Sequence, residues 1–191
     1  SCLGPAYEFS FILDSDLRKR RLRRKIPMTF ITPEPYIGHM GLSGVGDSKG
    51  LFEHEFRERH ISWLTNVRIK KAEKGKMLID VLGEGEKELP FKYSMIIPAF
   101  KGVDAIARVE GLCNPRGFVI VDEFQRSPKH KNIYAIGVCI AIAPPETTPV
   151  PVGVPKTGFM IEGMAAASVQ NILTSIRDEP PCARATWNAI C

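Results

Sequence analysis

The sequence contains no apolar run that approaches the roughly 20 residues that a helix needs to cross a bilayer. It also lacks the basic and then apolar N-terminal pattern of a secretory signal. Its five cysteines form no C-x-x-C pair, which argues against a zinc ribbon or a thioredoxin-type motif, and we expect no metal site. Their odd number argues against a disulfide scaffold. The cysteines are Cys2, Cys113, Cys139, Cys182 and Cys191.

The overall composition is that of an ordinary globular protein. With 44% hydrophobic and 25% charged residues, a chain of 191 residues can form one large domain or two small ones. The net charge of +5 is compatible with anionic lipid, anionic substrates or no charged partner. The densest run of charged residues is a basic block at residues 18–25, which contains no aromatic residue. We interpret it as the solvated end of a helix and expect no nucleic-acid partner.

The periodicity predicts an α/β architecture with an antiparallel excursion. A helix from Pro5 is followed by a strand at 28–32, a glycine-rich loop at 33–50, a helix at 51–60 and a strand at 61–64. A β-meander at 67–73, 76–82 and 88–91 comes next, and 94–100 is typical of a buried strand. Strands at 118–122 and 133–137, a helix at 158–176 and a tail at 177–191 complete the prediction. Since the first helix has no preceding strand, we expect this chain to be a piece of a longer protein.

The first residues are similar to the end of a dinucleotide-binding G-x-G-x-x-G turn in which Gly4 is the third glycine. The second glycine, which lets pyrophosphate touch the backbone, is replaced by Ser1. The acidic residue expected after the next strand is also missing, because Thr32 and Pro33 occupy its place and Glu34 is only a weak substitute. We therefore expect a degenerate Rossmann-like domain that does not bind NAD(P).

The same turn places Cys2 at the start of a helix. A helix N-terminus favours the thiolate form of a cysteine, so Cys2 is a candidate nucleophile. From the residues alone, a structural role for Cys2 is about equally well supported. Cys113 and Cys139 lie in apolar surroundings and are interpreted as small buried residues.

A second cluster of features, at residues 133–163, indicates a bound cofactor. An apolar strand ends at Gly137, where the missing Cβ lets a flat or anionic group approach the backbone. After a proline-rich connection, Lys156, Thr157 and Gly158 open an apolar helix whose unpaired N–H groups would point at a ligand. Thr157 could instead serve only as the helix N-cap.

These motifs together resemble the sulfide:quinone oxidoreductases, flavoproteins of the two-dinucleotide-binding-domain superfamily. The matching runs occur in order along the whole chain. They are SCLGPAYE at 1–8, EPYIGH at 34–39, GVGDSKG at 44–50, IPAFKG at 97–102, ETTPVP at 146–151, PKTG at 155–158 and TWNAIC at 186–191.

The resemblance implies that the chain is the middle of such an enzyme. Residues 1–100 would form the degenerate NAD(P)-type Rossmann-like domain with its β-meander, and residues 101–180 the returning half of the FAD-binding domain. Residues 181–191 would be a linker that carries a redox cysteine. Missing would be the ADP-binding part of the FAD domain, a further cysteine, and a C-terminal region that attaches to the membrane and holds much of the quinone site.

The resemblance also implies residue roles. Cys2 and Cys191 match the cysteine pair that holds sulfur beside the flavin. His39 matches a family histidine near the active region, for which a proton-handling role is one interpretation and a hydrogen-bonded loop residue the other. Gly137 matches the glycine that contacts FAD, whereas the neighbouring Val138 departs from the aspartate of many superfamily members. Lys156, Thr157 and Gly158 match the turn that directs a helix N-terminus at the flavin.

The implied function is the oxidation of sulfide to polysulfide or sulfur, with electrons passing through FAD to a membrane quinone. The parent protein would lie on the cytoplasmic face of the membrane as a peripheral protein, with homo-oligomerisation left open, and the piece alone could lack FAD. The alternative enzyme is a pyridine nucleotide-linked flavoprotein such as a type II NADH dehydrogenase. A non-catalytic interaction module would require Cys2 and Cys191 to be inert to sulfide.

Overall fold

The computed structural model describes residues 2–185, which divide into two compact units. The N-terminal unit comprises Cys2–Ile97 together with Pro144–Val154. The described residues of the C-terminal unit are Pro98–Ala143 and residues 155–185. The domain boundaries at 100 and 180 that the resemblance implies stay a prediction for the parent protein.

The N-terminal unit begins with helix α1 (Gly4–Lys19), which has a proline in its first turn as expected. Strands β1 (Met28–Ile31) and β2 (Ile61–Leu64) pair in parallel, and helix α2 (Ser48–Glu58) lies between them in the sequence. Parallel strands need a crossover of a dozen or more residues, which this loop and helix supply. The α2 helix starts earlier than predicted because the Asp47 side chain caps it by accepting from the Gly50 N–H at 3.2 Å.

An aromatic cluster fills the core between these elements. The ring of Tyr7 on α1 lies 4.7 Å from that of Phe30 on β1 and 5.7 Å from that of Phe56 on α2, centroid to centroid. Phe56 is fully buried, and Ile61 on β2 belongs to the same cluster. Such a cluster fixes α1 and α2 on the parallel strand pair through apolar burial and ring contacts.

The predicted β-meander is confirmed as a three-stranded antiparallel sheet. Its strands are β3 (Val67–Glu73), β4 (Lys76–Val81) and β5 (Gly85–Pro90), in the order β3-β4-β5. Val67, Met77, Ile79 and Val81 form a buried apolar cluster on one face of the sheet. Most other side chains of β3 and β5 are exposed. Within the described residues, the parallel and antiparallel sheets confirm the α/β class.

The C-terminal unit contains a short helix α3 (Asp104–Ala107), a 3₁₀ turn (Gly137–Cys139) and the long helix α4 (Gly158–Ile176). The α4 helix is confirmed with the bounds that its apolar pattern predicted. Asn171 on its buried face donates from Nδ2 to the Phe124 carbonyl at 3.1 Å and to the Ala183 carbonyl at 2.7 Å. Its Oδ1 accepts from the Ala183 N–H at 2.9 Å, so this single amide fixes the segment after α4.

Three predicted strands are wrong. Residues 94–100 form no ladder with any described strand, and Met95, Ile96 and Phe100 are 37–42% exposed. An apolar run needs a hydrogen-bonded neighbour to become a buried strand, and periodicity does not reveal whether one is present. Residues 118–122 and 133–137 are reduced to isolated bridges at Val119 and Tyr134.

The basic block at 18–25 is only in part the solvated helix end that its composition suggested. Arg18 and Arg23 contact the Asp14 carboxylate at 2.8 and 2.7 Å, and Arg59 contacts it at 3.1 Å. Asp14 is fully buried. Burial raises the pKa of Asp14, but the hydrogen bonds from the three arginines outweigh this effect and the pKa is lowered. Two cations of the block are therefore structural.

Among residues 2–185, no helix combines the length and the apolar character that crossing a bilayer requires.

Candidate active site

Cys2 is partly buried and lies immediately before Leu3, the N-cap residue of α1. The N-cap makes no side-chain hydrogen bond to the helix, so the α1 N-terminus has no side-chain cap. The sequence position predicted for Cys2, at the start of a helix, is thus confirmed. Its predicted partner Cys191 lies outside the described residues.

Glu34 follows β1, where a dinucleotide-binding domain has its ribose-binding acid. Its Oε2 accepts hydrogen bonds from the Tyr7 hydroxyl at 2.7 Å and from the Thr32 hydroxyl at 2.6 Å. Its Oε1 accepts from the Met40 N–H at 2.8 Å, and the residue is fully buried. Burial, and then the Glu34 charge, raise the pKa of Tyr7, so its hydroxyl stays protonated as a donor. The Glu34 carboxylate links α1, the residue after β1 and the glycine-rich loop by hydrogen bonds, and none of its oxygens is accessible to a ribose.

His39 lies in the glycine-rich loop with both ring nitrogens engaged. The Gly41 N–H donates to Nδ1 at 3.1 Å, so the proton of the neutral ring is on Nε2, which lies 2.6 Å from Glu146 Oε1. The His39 side chain is 2% exposed, whereas the Glu146 side chain is 46% exposed. Hydrogen bonds from His39 and Ser43 lower the pKa of Glu146. The pair therefore anchors the 144–154 segment to a loop more than a hundred residues away in sequence, and the proton-handling role of His39 stays a prediction.

The predicted cofactor-binding residues of the C-terminal unit come together in one place. Gly137 has a φ of +71°, and a Cβ added there would lie 3.1 Å from the Ile161 side chain on α4. Its N–H points at the Met164 sulfur at 3.3 Å. The turn at Gly137 is therefore packed against the first turns of α4, and only glycine adopts this backbone conformation there without strain.

Lys156 ties the same turn to the start of α4. Its Nζ donates to the Val138 carbonyl at 3.0 Å and to the Ile140 carbonyl at 2.6 Å. The ammonium also lies 4.0 Å from the centroid of the Phe118 ring. Burial lowers the pKa of Lys156, with the Arg116 charge acting in the same direction and Cys139 opposing it. Lys156 is thus a positioning residue for the turn as well as a local positive charge.

Thr157 precedes α4 in extended conformation but does not cap it with its side chain. Its Oγ1 is buried and has no hydrogen-bond partner among residues 2–185. Thr157 thus occupies the N-cap position, as the alternative role requires, but its side chain does not satisfy a helix N–H. An uncapped helix start, an unpartnered buried hydroxyl and a glycine turn beside them suit a polar, partly anionic cofactor edge. The residues present fit the group that the resemblance implies.

Two contacts at these sites were not predicted from the sequence. Glu146 lies in a motif that carries the resemblance, but nothing in that run indicates that it pairs with His39. Phe118 was interpreted as a strand residue, and its ring instead lies under the Lys156 ammonium. Both contacts join residues far apart in the chain, where local spacing carries no signal.

The parallel strand pair, the antiparallel meander and the glycine turn facing a helix start define a flavoprotein-type oxidoreductase fold. The chain belongs to the pyridine nucleotide-disulphide oxidoreductase family, whose model matches residues 47–163. Within that family it is similar to the sulfide-quinone reductase of Aquifex aeolicus (strain VF5), with 46% identity over 100% of this chain and 45% of the relative.

Solved structures agree with this assignment. The X-ray structure of the sulfide:quinone oxidoreductase from Aquifex aeolicus superposes with a TM-score of 0.90 and 47% identity, covering 94% of this chain and 42% of that chain. A NAD-dependent persulfide reductase from A. fulgidus, at 22% identity and a TM-score of 0.51, covers 75% of this chain and 26% of that chain and shows the shared fold alone. The predicted resemblance is confirmed, and the chain spans less than half the length of the curated relative.

Proposed function

We propose that the chain is part of a sulfide:quinone oxidoreductase that oxidises sulfide to polysulfide or sulfur and passes the electrons to a membrane quinone. The observation that carries this proposal is the 46% identity to a sulfide-quinone reductase over the whole chain, together with the TM-score of 0.90. Cys2, at the start of α1, is the residue of the described chain that would take part in the sulfur chemistry.

The reaction at the thiols is an exchange with an inorganic nucleophile. In the oxidised state, Cys2 and Cys191 are joined by a disulfide. HS⁻ attacks Sγ of Cys191, so that a new S–S bond forms at Cys191 and the bond between the two cysteines breaks. Cys191 then carries a persulfide that keeps the proton of HS⁻, and the electron pair of the broken bond stays on Cys2 as a thiolate. The uncapped positive end of α1 is close to Cys2 in sequence and would stabilise this anion.

FAD, when bound, would supply the two-electron acceptor that links the thiols to the quinone. Gly137 would shape the turn beside the cofactor, since its left-handed φ and its close contact with Ile161 leave no room for a Cβ. Thr157 would give its unpartnered hydroxyl to a polar edge. Gly158 would present the N–H groups of the first turn of α4, whose positive end favours negative charge on a ligand. Lys156 would hold the Gly137 turn in place through its two carbonyl contacts.

The geometry around Glu34 speaks against the alternative, a type II NADH dehydrogenase-like activity. A ribose-binding acid must present its carboxylate to the ligand. The Glu34 carboxylate is buried and accepts from Tyr7, Thr32 and Met40. NADH binding at this position would require the loss of these hydrogen bonds.

The location and partners of the parent protein follow from the same proposal. A reductase that delivers electrons to a quinone must reach the membrane, and we propose peripheral attachment at the cytoplasmic face through a region outside this chain. Assembly of several copies is compatible with the family resemblance and stays a prediction.

The proposal is tested by Cys2→Ser and Cys191→Ser in the full-length parent protein. Each variant should lose sulfide-dependent quinone reduction, since a hydroxyl neither forms the S–S bond nor leaves as a thiolate. The measurement is anaerobic quinone reduction with sulfide, alongside the flavin absorbance. Cys182→Ser is the matched control, because its thiol is exposed and the resemblance assigns it no role.

Turnover that persists in Cys2→Ser or Cys191→Ser would remove that residue from the mechanism. If NADH bleaches the flavin and sulfide does not, the pyridine nucleotide-linked alternative is favoured instead.

A further inference from the structure

Four exposed cations at the end of α1 form no ion pair with the part of the chain that the structure describes. Seven of the eight residues at 18–25 are Lys or Arg. Arg18 and Arg23 contact Asp14, and Arg20 pairs with Asp16. Within residues 2–185, no ion pair involves the other four, which are Lys19, Arg21, Arg24 and Lys25. All four are exposed on the surface of the N-terminal unit.

One of these cations occupies a backbone position that normally favours glycine. The Arg21 N–H bonds to the Arg18 carbonyl at 2.9 Å and the Leu22 N–H to the Leu17 carbonyl at 2.8 Å, which is the Schellman pattern of a helix C-terminus. Arg21 takes the left-handed position of this motif with a φ of 58°. Because a Cβ is disfavoured at such a φ, a helix end that only needed to terminate would be more stable with glycine. The protein keeps a positive charge there at a backbone cost.

The loop that carries the cations is also held in a fixed conformation. The Arg23 guanidinium donates to the carbonyls of Ile26, Arg59 and His60, each at 2.8 Å. Leu22 and Ile26 flank the exposed cations and are themselves 38% and 40% exposed. The surface at residues 19–26, which we call the basic loop, therefore presents cations and two aliphatic side chains on an ordered backbone.

We propose that the basic loop binds an anionic lipid surface. Clustered basic side chains beside exposed aliphatic residues match the charge and the apolar boundary of an anionic bilayer. A nucleic acid fits less well, because residues 18–26 contain no aromatic side chain on which a base could stack. The proposal does not involve the cysteines or the cofactor site, so it stands or falls separately from the sulfide chemistry.

The test compares two triple variants of the 191-residue chain that remove equal charge. In the first, Arg21→Gln, Arg24→Gln and Lys25→Gln neutralise the basic loop. In the matched control, Lys70→Gln, Lys71→Gln and Lys74→Gln neutralise three exposed lysines of the β3–β4 hairpin. Binding is measured by co-sedimentation with phosphatidylcholine vesicles, with and without phosphatidylglycerol, at fixed ionic strength.

We expect wild type to bind only the vesicles that contain phosphatidylglycerol. Each basic residue near an anionic surface contributes roughly a fivefold gain in partitioning, so the loop triple variant should bind roughly a hundredfold more weakly. The hairpin triple variant should stay within a few-fold of wild type. Equal losses in the two variants, or equal binding to both kinds of vesicle, would overturn the proposal.

Arg21→Gly separates binding from folding. Because glycine suits the left-handed position, this variant should have a higher free energy of unfolding in urea and yet bind anionic vesicles roughly fivefold more weakly. Unchanged vesicle binding in Arg21→Gly would contradict the proposal. A second outcome would also contradict it. In that outcome, wild type would bind a short DNA duplex more tightly than vesicles at the same ionic strength, and the loop triple variant would lose this DNA binding.

Discussion

The Asp14 carboxylate accepts hydrogen bonds from three guanidinium groups and has no exposed surface. An ion pair in such a place costs desolvation, and its removal from one side leaves uncompensated charges behind. The cluster joins the end of α1 to the end of α2 through Arg59. The contribution of this cluster to stability therefore depends on the single buried carboxylate of Asp14.

We predict that Asp14→Asn lowers the free energy of unfolding by about 3 kcal/mol, since three arginines lose their shared anion. The pKa of Asp14 is lowered in the folded state, so its stabilisation is complete above its unfolded pKa near 3.9 and is lost as the pH falls through the folded value. In urea unfolding, the free-energy difference between wild type and variant should be constant near neutral pH and should begin to shrink below about pH 4.

Asp16→Asn is the control for this prediction. Asp16 pairs with Arg20 at 2.8 Å, but both side chains are about half exposed or more, at 46% and 67%. Its removal should cost at most about 0.5 kcal/mol. Equal destabilisation in the two variants would mean that burial of Asp14 is not the source of the effect.

Gly137→Ala tests the turn that faces α4. At a φ of +71° an alanine costs about 1–2 kcal/mol, and its Cβ would press on Ile161 at 3.1 Å. We expect this loss in urea unfolding, and weaker retention of FAD in the full-length parent. Gly153→Ala is the control, because no atom lies within 4 Å of its added Cβ and its φ is not in the left-handed region. If the two variants behave alike, Gly137 is not held in a strained or close-packed conformation.

At the scale of elements, the 144–154 segment belongs to the N-terminal unit but forms no strand there. Glu146 contacts His39, and Thr148 stabilises the segment internally through the Val150 carbonyl at 2.7 Å and the Val152 N–H at 3.1 Å. Val150, Val152 and Val154 are buried as well, so we expect the loss of the Glu146–His39 contact to loosen the segment locally without releasing it.

We predict that Glu146→Ala accelerates amide exchange in residues 144–154 several-fold without changing exchange in the β3–β5 sheet. Glu146→Gln should give a smaller effect, because its amide oxygen still accepts from His39 Nε2. The pKa of Glu146 is lowered, so wild type should keep the protected state at neutral pH and lose it only as the pH falls through that lowered value. An exchange rate in Glu146→Ala equal to that of wild type would show that the pair does not hold the segment.

The sequence predicted those elements whose partners are close in the chain. The β3–β5 meander is built from consecutive strands and short turns, and the bounds of α4 follow from its apolar periodicity. Residues 94–100 and 118–122 have the same apolar character as real strands. Whether they become strands depends on neighbours that periodicity does not reveal, and their conformations were therefore predicted wrongly.

The candidate site shows the same limit. Gly137 and the Lys156–Gly158 turn carry local backbone signals, and the structure brings them together. The contact of His39 with Glu146 and the hydrogen bonds that occupy Glu34 depend on the tertiary fold. They were not predictable from residue spacing, although each decides what its site can do.

For the whole molecule, the two units differ in how their backbone groups are satisfied. The N-terminal unit contains five strands in two sheets and two separate apolar cores. Within the described residues, the C-terminal unit has one long helix, one short helix and isolated bridges. Backbone hydrogen bonds in loops and isolated bridges open more readily than those in a packed ladder or helix.

We therefore predict an uneven pattern of amide exchange in the 191-residue chain. Residues 67–90 and the α1, α2 and α4 helices should be the most protected, and residues 98–136 should exchange fastest among the described residues. Asp14→Asn should reduce protection in α1 and α2 and leave α4 unchanged, because the arginine cluster lies entirely in the N-terminal unit. Hydrogen exchange followed by mass spectrometry of peptides measures this directly. Equal protection of residues 98–136 and the β3–β5 sheet would contradict the expectation that hydrogen bonds in loops and isolated bridges open more readily than those in a ladder.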